Sequence, residues 1–210
     1  MSHHQNTIQL YNRVAQQYQD IFMNDKRYHH SYDKLLSHLS KNHRMVLDVA
    51  CGPGVISHYL LQNNANLTVL GIDAAEKMIE LATNNVPEAT FKVLDCRAIS
   101  TLHTLFDVLI FGFCFPYVTK EEVHQLIKDA YQLLTPNGLL YISTMMGNYD
   151  TDSGYKSSSD GKNTAFIYYH SQEDLQNMLL ESDFQILENY TKLEQEGTHK
   201  NTDLFLIAKK

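Results

Sequence analysis

Five short apolar runs, separated by turn residues and helical stretches, dominate the middle of this chain: 45–50 (MVLDVA), 67–73 (LTVLGID), 90–95 (TFKVLD), 106–113 (FDVLIFGF) and 138–144 (GLLYIST). Helical patterns fall between them at 55–63, 75–85 and 119–134. The run at 106–113 is apolar nearly throughout, which suits a strand buried on both faces. Strands alternating with helices at this rhythm predict an α/β fold, Rossmann-like and doubly wound, with a mostly parallel sheet and helices on both sides. Ligands in such sheets bind beyond the C-terminal strand ends, at the switch point of strand order. The turn after 45–50 is therefore the candidate site.

The flanks read differently. Leu10, Val14, Tyr18, Ile21 and Phe22 form an amphipathic face, and a second helical pattern covers about 30–40. Residues 1–40 are thus expected to make an N-terminal helical cap. Thr119, with Glu122 three residues on, predicts a helix start. Residues 147–164 are rich in Gly, Ser, Asp and Asn, which predicts a loop without elements of its own. A short strand at 165–170 follows, then a helix capped by Ser171. Two closing strands, 184–194 and 203–210, read as a hairpin, so the sheet ends with an antiparallel strand. The 210 residues, 43% hydrophobic, suffice for one sizeable core and for a single domain, with the 147–170 segment as a substrate-side lid.

Charge and cysteine usage exclude several classes. A formal charge of −7 carries no electrostatic footprint for nucleic acid or an anionic membrane. The three cysteines, Cys51, Cys96 and Cys114, form no C-x-x-C pair and no metal spacing. The chain start lacks an apolar signal region, and no run approaches the roughly 20 apolar residues of a membrane span. The expectation is a cytoplasmic protein, monomer or homodimer, with no metal.

The candidate turn reads VLDVACGPG at 46–54. Gly52 and Gly54 match the first two glycines of a dinucleotide fingerprint, but Ser57 holds the third position. Pro53 lies between the glycines and has no N–H to give a pyrophosphate. No Lys-Ser/Thr pair follows, so the P-loop pattern fails too. An adenosyl ligand without phosphate fits better, and S-adenosylmethionine (SAM) answers that description. Asp73 ends the second strand, where an acid can accept from both ribose hydroxyls. Asp48 and Asp95 bring the total to three aspartates along one sheet edge.

On these residues the chain resembles class I SAM-dependent methyltransferases of the small-molecule type. VLDVACGPG, GIDAAEKMIELA, FKVLDCRAI, FDVLIFGFCFPYV and LLTPNGLLYIS resemble five successive family motifs over about 45–144, and YNRVAQQYQDIF resembles the helix that folds over SAM. The resemblance implies a seven-stranded sheet. It also implies Asp73 as ribose ligand, Met78 on the adenine face, Asp95 at the adenine amino group and the Cys96 N–H at a ring nitrogen. Asp48 would orient the turn, Gly52 would admit the methionyl end, and the backbone of Phe111 and Gly112 would meet its amine. Ala50, Cys51, Ala74 and Tyr18 complete the implied cofactor site, and S-adenosylhomocysteine would be the product.

Methyl transfer from a sulfonium needs alignment and exclusion of water more than a covalent nucleophile. The expected acceptor is an O or N of a small molecule. If a base is needed, His170 and Tyr169 are the candidates, with Tyr11, Tyr18 and Tyr168 further phenols in view. Phe115 and Tyr117 are expected to wall the methyl group. The alternatives are a methyltransferase acting on protein or RNA, a SAM-binding protein without transferase activity, and, opposed by Pro53 and Ser57, a nicotinamide oxidoreductase.

Overall fold

The computed structural model describes residues 2–158, 161–196 and 199–210. Two helices come first. α1 (His3–Phe22) starts at a capping box, in which Ser2 accepts from the Gln5 N–H and the Gln5 side chain accepts from the Ser2 N–H. α2 (His29–His38) follows. The core runs β1 (Met45–Val49), α3 (Val55–Asn63), β2 (Thr68–Asp73), α4 (Glu76–Asn85), β3 (Thr90–Val93), β4 (Phe106–Gly112), α5 (Lys120–Leu133) and β5 (Leu134–Met146). The remainder is α6 (Tyr149–Asp152), β6 (Gly154–Ser157), β7 (Thr164–Ile167), α7 (Gln172–Glu181), β8 (Gln185–Glu196) and β9 (His199–Lys209).

Seven strands form one sheet in the order β3-β2-β1-β4-β5-β9-β8. The pairings from β3 to β5 are parallel. β9 runs antiparallel to β5 and to β8. The sheet is therefore mostly parallel with one antiparallel C-terminal strand, as the pattern predicts. The chain moves outward from β1 to β3 and then returns to lay β4 on the free side of β1. Strand order reverses between β1 and β4, so a crevice opens at their C-terminal ends.

Each central strand buries both faces. Leu47, Val49, Leu109, Phe111, Leu140 and Ile142 pack with Val123, Leu126 and Ile127 of α5 and Leu175 and Leu179 of α7. Val46, Val108, Ile110 and Tyr141 pack the other way, with Tyr32 and Leu35 of α2 and Ile56 and Leu60 of α3. This two-sided burial explains why these runs lack polar alternation. α5 starts as expected: Thr119 accepts from the Glu122 N–H, and Glu122 takes the Thr119 N–H at 2.8 Å.

Gly71 is fixed by space rather than by its backbone angles. A Cβ on Gly71, in β2, would stand 2.4 Å and 2.5 Å from ring carbons of Phe91 and 3.0 Å from Cys51 Sγ. Gly71→Ala is expected to destabilise the fold by about 1–3 kcal/mol, since the Phe91 ring must leave its place. Chemical denaturation checks this, and an unchanged midpoint would contradict it.

Two expectations need correction. The polar 147–164 stretch is not element-free: it holds α6 and β6, and β6 pairs antiparallel with β7 from Gly154↔Ile167 to Ser157↔Thr164. The side chains of β6 are largely exposed, so the strand rests on backbone pairing and leaves no apolar alternation to read. On α1, Ile21 is 54% exposed rather than core-facing. The buried positions there are Thr7, Leu10 and Ala15.

Candidate functional site

The β1 exit makes a sharp turn. Ala50, Gly52 and Gly54 have φ of 56°, 54° and 87°, all left-handed. The Cys51 N–H donates to the Ile72 carbonyl at 3.0 Å, tying the turn to β2. Asp73 finishes the tie: Oδ2 accepts from the Gly52 N–H at 2.9 Å and Oδ1 from the Ala75 N–H at 2.8 Å. Burial raises the Asp73 carboxyl above its ordinary value, opposed by the N–H groups of Ala75, Gly52 and Ala74.

Asp48 lies beneath the turn, 1% exposed. Ser57 Oγ donates to its Oδ2 at 2.6 Å, while Oδ1 is buried without a partner among the described residues. Burial pushes this carboxyl up to about 7, against the Ser57 hydrogen bonds. Ser57 is off the dinucleotide pattern because its hydroxyl serves Asp48. Spacing alone does not reveal that role.

α1 forms the roof. His4, Thr7, Ile8, Tyr11 and Tyr18 face a cavity whose floor holds Ala50, Gly52, Gly112, Phe113 and Cys114. Asp73, Ala74, Ala75, Met78, Leu94, Cys96, Tyr117 and Val118 complete the lining. The empty space, counting its open mouth, is about 750 Å³. Polar ties hold α1 down: Asn12 Oδ1 accepts from the Lys77 N–H at 2.9 Å, and Asn85 Nδ2 donates to Gln19 Oε1 at 2.7 Å and to the Pro53 carbonyl at 2.8 Å. The Tyr11 ring meets Tyr18 and Tyr117 edge-on, and the Tyr11 and Tyr117 hydroxyls are hydrogen-bonded to each other. Burial raises all three phenols.

At the floor, Phe113 takes a left-handed φ of 50°, held by its N–H donating to the Ser143 carbonyl at 2.9 Å. A non-glycine residue in that region stores strain, a feature that clusters at ligand sites.

Of the residues expected at a cofactor site, Tyr18, Ala50, Gly52, Asp73, Ala74, Met78, Cys96 and Gly112 line this one cavity. Four do not. Asp48, Cys51 and Phe111 are buried under or behind the turn. The Asp95 carboxylate is taken by Arg97 Nη2 and His4 Nε2, both at 2.6 Å. Burial alone would raise Asp95, but the His4 and Arg97 bonds outweigh it and hold the carboxyl well below its usual range.

The proposed bases lie elsewhere. His170 is 1% exposed, with Nε2 at 3.0 Å from the Phe115 carbonyl. Burial lowers its pKa, partly offset by that bond. Tyr169 packs against the α6 region, its N–H donating to Ser153 Oγ at 3.0 Å and its ring under Lys156 Nζ. Tyr168 stacks on Tyr149. Phe115 is fully buried, so Tyr117 alone of the expected wall reaches the cavity. The sequence reading missed His4, Thr7 and Ile8. Their spacing with Tyr11 puts them on one helical face, but the mixed polarity of that face hides it from a hydrophobic pattern.

Chemically the cavity offers one carboxylate, hydroxyls, thiols and apolar walls. Among the described lining residues there is no Lys or Arg, and Pro53 removes an N–H from the turn, so phosphate has little to bind. Among the described residues no cluster of three or more His, Cys, Asp or Glu could hold a metal, and no helix is long and apolar enough to cross a membrane.

A family model described as a methyltransferase domain matches residues 46–138. An uncharacterized methyltransferase of Oceanobacillus iheyensis is 32% identical over 116 residues, covering 55% of this chain and 54% of that protein. A tRNA N(3)-methylcytidine methyltransferase of Schizosaccharomyces pombe is 29% identical over 131 residues, covering 57% of this chain and 43% of that protein. The chain spans about half the length of the curated relatives it matches. Among solved structures, the magnesium protoporphyrin IX methyltransferase of Synechocystis PCC 6803, determined with bound SAM, superposes with a TM-score of 0.70. The two share 18% identity over 100% of this chain and 98% of that one, a likeness of fold.

Proposed function

We propose that this chain is a class I SAM-dependent methyltransferase, as the methyltransferase-domain match over residues 46–138 supports, and that it moves a methyl group from SAM to an oxygen or nitrogen of a small-molecule acceptor. The observation that carries this reading is the cavity at the strand-order reversal, with Asp73 on its wall and α1 across its top. The residues fit the group. Each Asp73 oxygen holds one N–H bond and keeps lone-pair capacity for a ribose hydroxyl. Gly52 presents no side chain, and a Cβ placed there would touch Tyr18 Cε1 at 3.8 Å, narrowing the space between turn and roof.

When bound, SAM supplies a methyl group already activated on a sulfonium. The chain's own residues do the rest. Met78 and Leu94 give an apolar bed at the β2–β3 end. α1 covers one side of the site and reduces its contact with water, which strengthens polar contacts inside. Tyr11, Tyr18 and Tyr117 bring three aromatic rings to the cavity, and such rings favour a cation. The free thiols Cys51, Cys96 and Cys114 suit a reducing compartment, so we place the reaction in the cytoplasm.

The enclosure by α1 and the absence of Lys or Arg from the lining favour a small acceptor. A second reading, methylation of RNA, has the tRNA-modifying relative in its favour and the charge of −7 against it. Incubation with methyl-labelled SAM, a low-molecular-mass metabolite extract and, in parallel, total RNA separates the two. Label is expected in the metabolite fraction. Label in RNA alone would contradict the small-molecule reading.

A further inference from the structure

The hydroxyls of Tyr11 and Tyr117 meet across the cavity from opposite walls, one on α1 and one on the turn after β4, with ring centroids 5.3 Å apart. Two hydroxyls carry two protons, and one of these makes the bond between them. Neither hydroxyl has a second hydrogen-bond partner among the described residues. The pair therefore presents one remaining O–H donor within a cavity that both residues line.

The titratable residues along that cavity are His4, Tyr11, Tyr18, Asp73, Cys96, Cys114 and Tyr117. His4 is engaged with Asp95 next to β3. Asp73 holds two backbone N–H groups at the end of β2. The lining otherwise holds the phenols and the Cys114 thiol, which Cys96 meets. Burial raises the phenols, and a hydrogen bond with Cys96 together with burial raises Cys114. These groups give hydrogen bonds and take no proton at neutral pH. Alcohols, phenols, most thiols and ammonium groups reach neutral pH still protonated and need a base before they attack. A carboxylate does not. One of its oxygens accepts the remaining O–H, a short charge-assisted bond, while the other is free to react.

We propose, resting on the methyl-transfer reading, that the acceptor group is a carboxylate, positioned by the hydroxyl proton left over from the Tyr11–Tyr117 pair and methylated to an ester. A carboxylate oxygen forms the new C–O bond to the methyl carbon. The S–C bond breaks and its electron pair stays on sulfur. The acceptor's negative charge and the sulfonium's positive charge disappear together, and no proton moves. Tyr11 and Tyr117 are positioning residues in this step.

The test uses the whole chain at neutral pH with methyl-labelled SAM and a metabolite extract, followed by mild alkali. Label in an ester is released as methanol, whereas N-methyl, S-methyl and ether label stays. The expected result is alkali-labile label, with Tyr117→Phe lowering the rate about tenfold while S-adenosylhomocysteine affinity stays within about twofold. If wild type binds S-adenosylhomocysteine but transfers no alkali-labile label, the carboxylate proposal is overturned and the cofactor reading stands. If Tyr117→Phe loses that binding in proportion to its rate, the positioning role is overturned. If wild type does not bind S-adenosylhomocysteine at all, the methyl-transfer reading falls first.

Discussion

Asp73→Ala is expected to weaken S-adenosylhomocysteine binding by about 3 kcal/mol or more, roughly a hundredfold or greater in Kd. The size follows from what the carboxylate holds. It fixes the Gly52 and Ala75 N–H groups, and with them the relation between the β1 and β2 exits. It is also the one carboxylate on the cavity wall. Alanine removes the acceptor we propose for the ribose hydroxyls and orphans two backbone donors. Asp73→Asn keeps the shape and one acceptor oxygen, so its loss should be smaller, about tenfold. Titration calorimetry measures both variants, with circular dichroism confirming that they are folded. Wild-type affinity in Asp73→Ala would show that the ligand does not use this wall.

The second large effect concerns stability against pH. Burial raises the Asp48 carboxyl to about 7, while an unfolded aspartate titrates near its ordinary value. Between those two values the folded chain keeps a proton that the unfolded chain has released. Stability contributed by this group is therefore greatest at low pH, falls as pH rises through the window up to about 7, and is flat above it. The fall amounts to about 2–4 kcal/mol. Asp48→Asn does not titrate, and its side-chain oxygen still accepts from Ser57. Urea unfolding at about pH 5 and about pH 8 should show wild type losing about 2–3 kcal/mol relative to the variant, the part of the fall that lies above about pH 5. Parallel behaviour of the two proteins would mean that Asp48 is ionised throughout.

Much of this architecture is legible in the sequence because two-sided burial leaves a plain mark. The runs around Leu47, Ile72 and Ile110 are apolar on both faces, and their order with the intervening helices implies a doubly wound sheet. Asp73 is legible for a related reason: a carboxylate that ends a buried strand has few places to point. Other features rest on contacts with no local signature. His170 turns inward onto the Phe115 carbonyl, and a main-chain acceptor far along the chain is invisible to spacing. The pattern puts Asp95 at the end of the third strand, but β3 stops at Val93, two residues earlier, and Arg97 and His4 claim the Asp95 oxygens. α1 shows a third cause. Its roof face mixes His4, Thr7 and Tyr11 with Ile8, so a search for apolar periodicity finds Leu10 and misses the face above the cavity.

The central claim is that the turn at Gly52 and the wall at Asp73 hold an adenosyl ligand without a pyrophosphate. Calorimetric titration of the wild-type chain with S-adenosylhomocysteine and, separately, with NAD tests it most directly. The account predicts one site for S-adenosylhomocysteine, with a Kd on the order of micromolar, and no heat of binding from NAD. Binding of NAD with none of S-adenosylhomocysteine would contradict it.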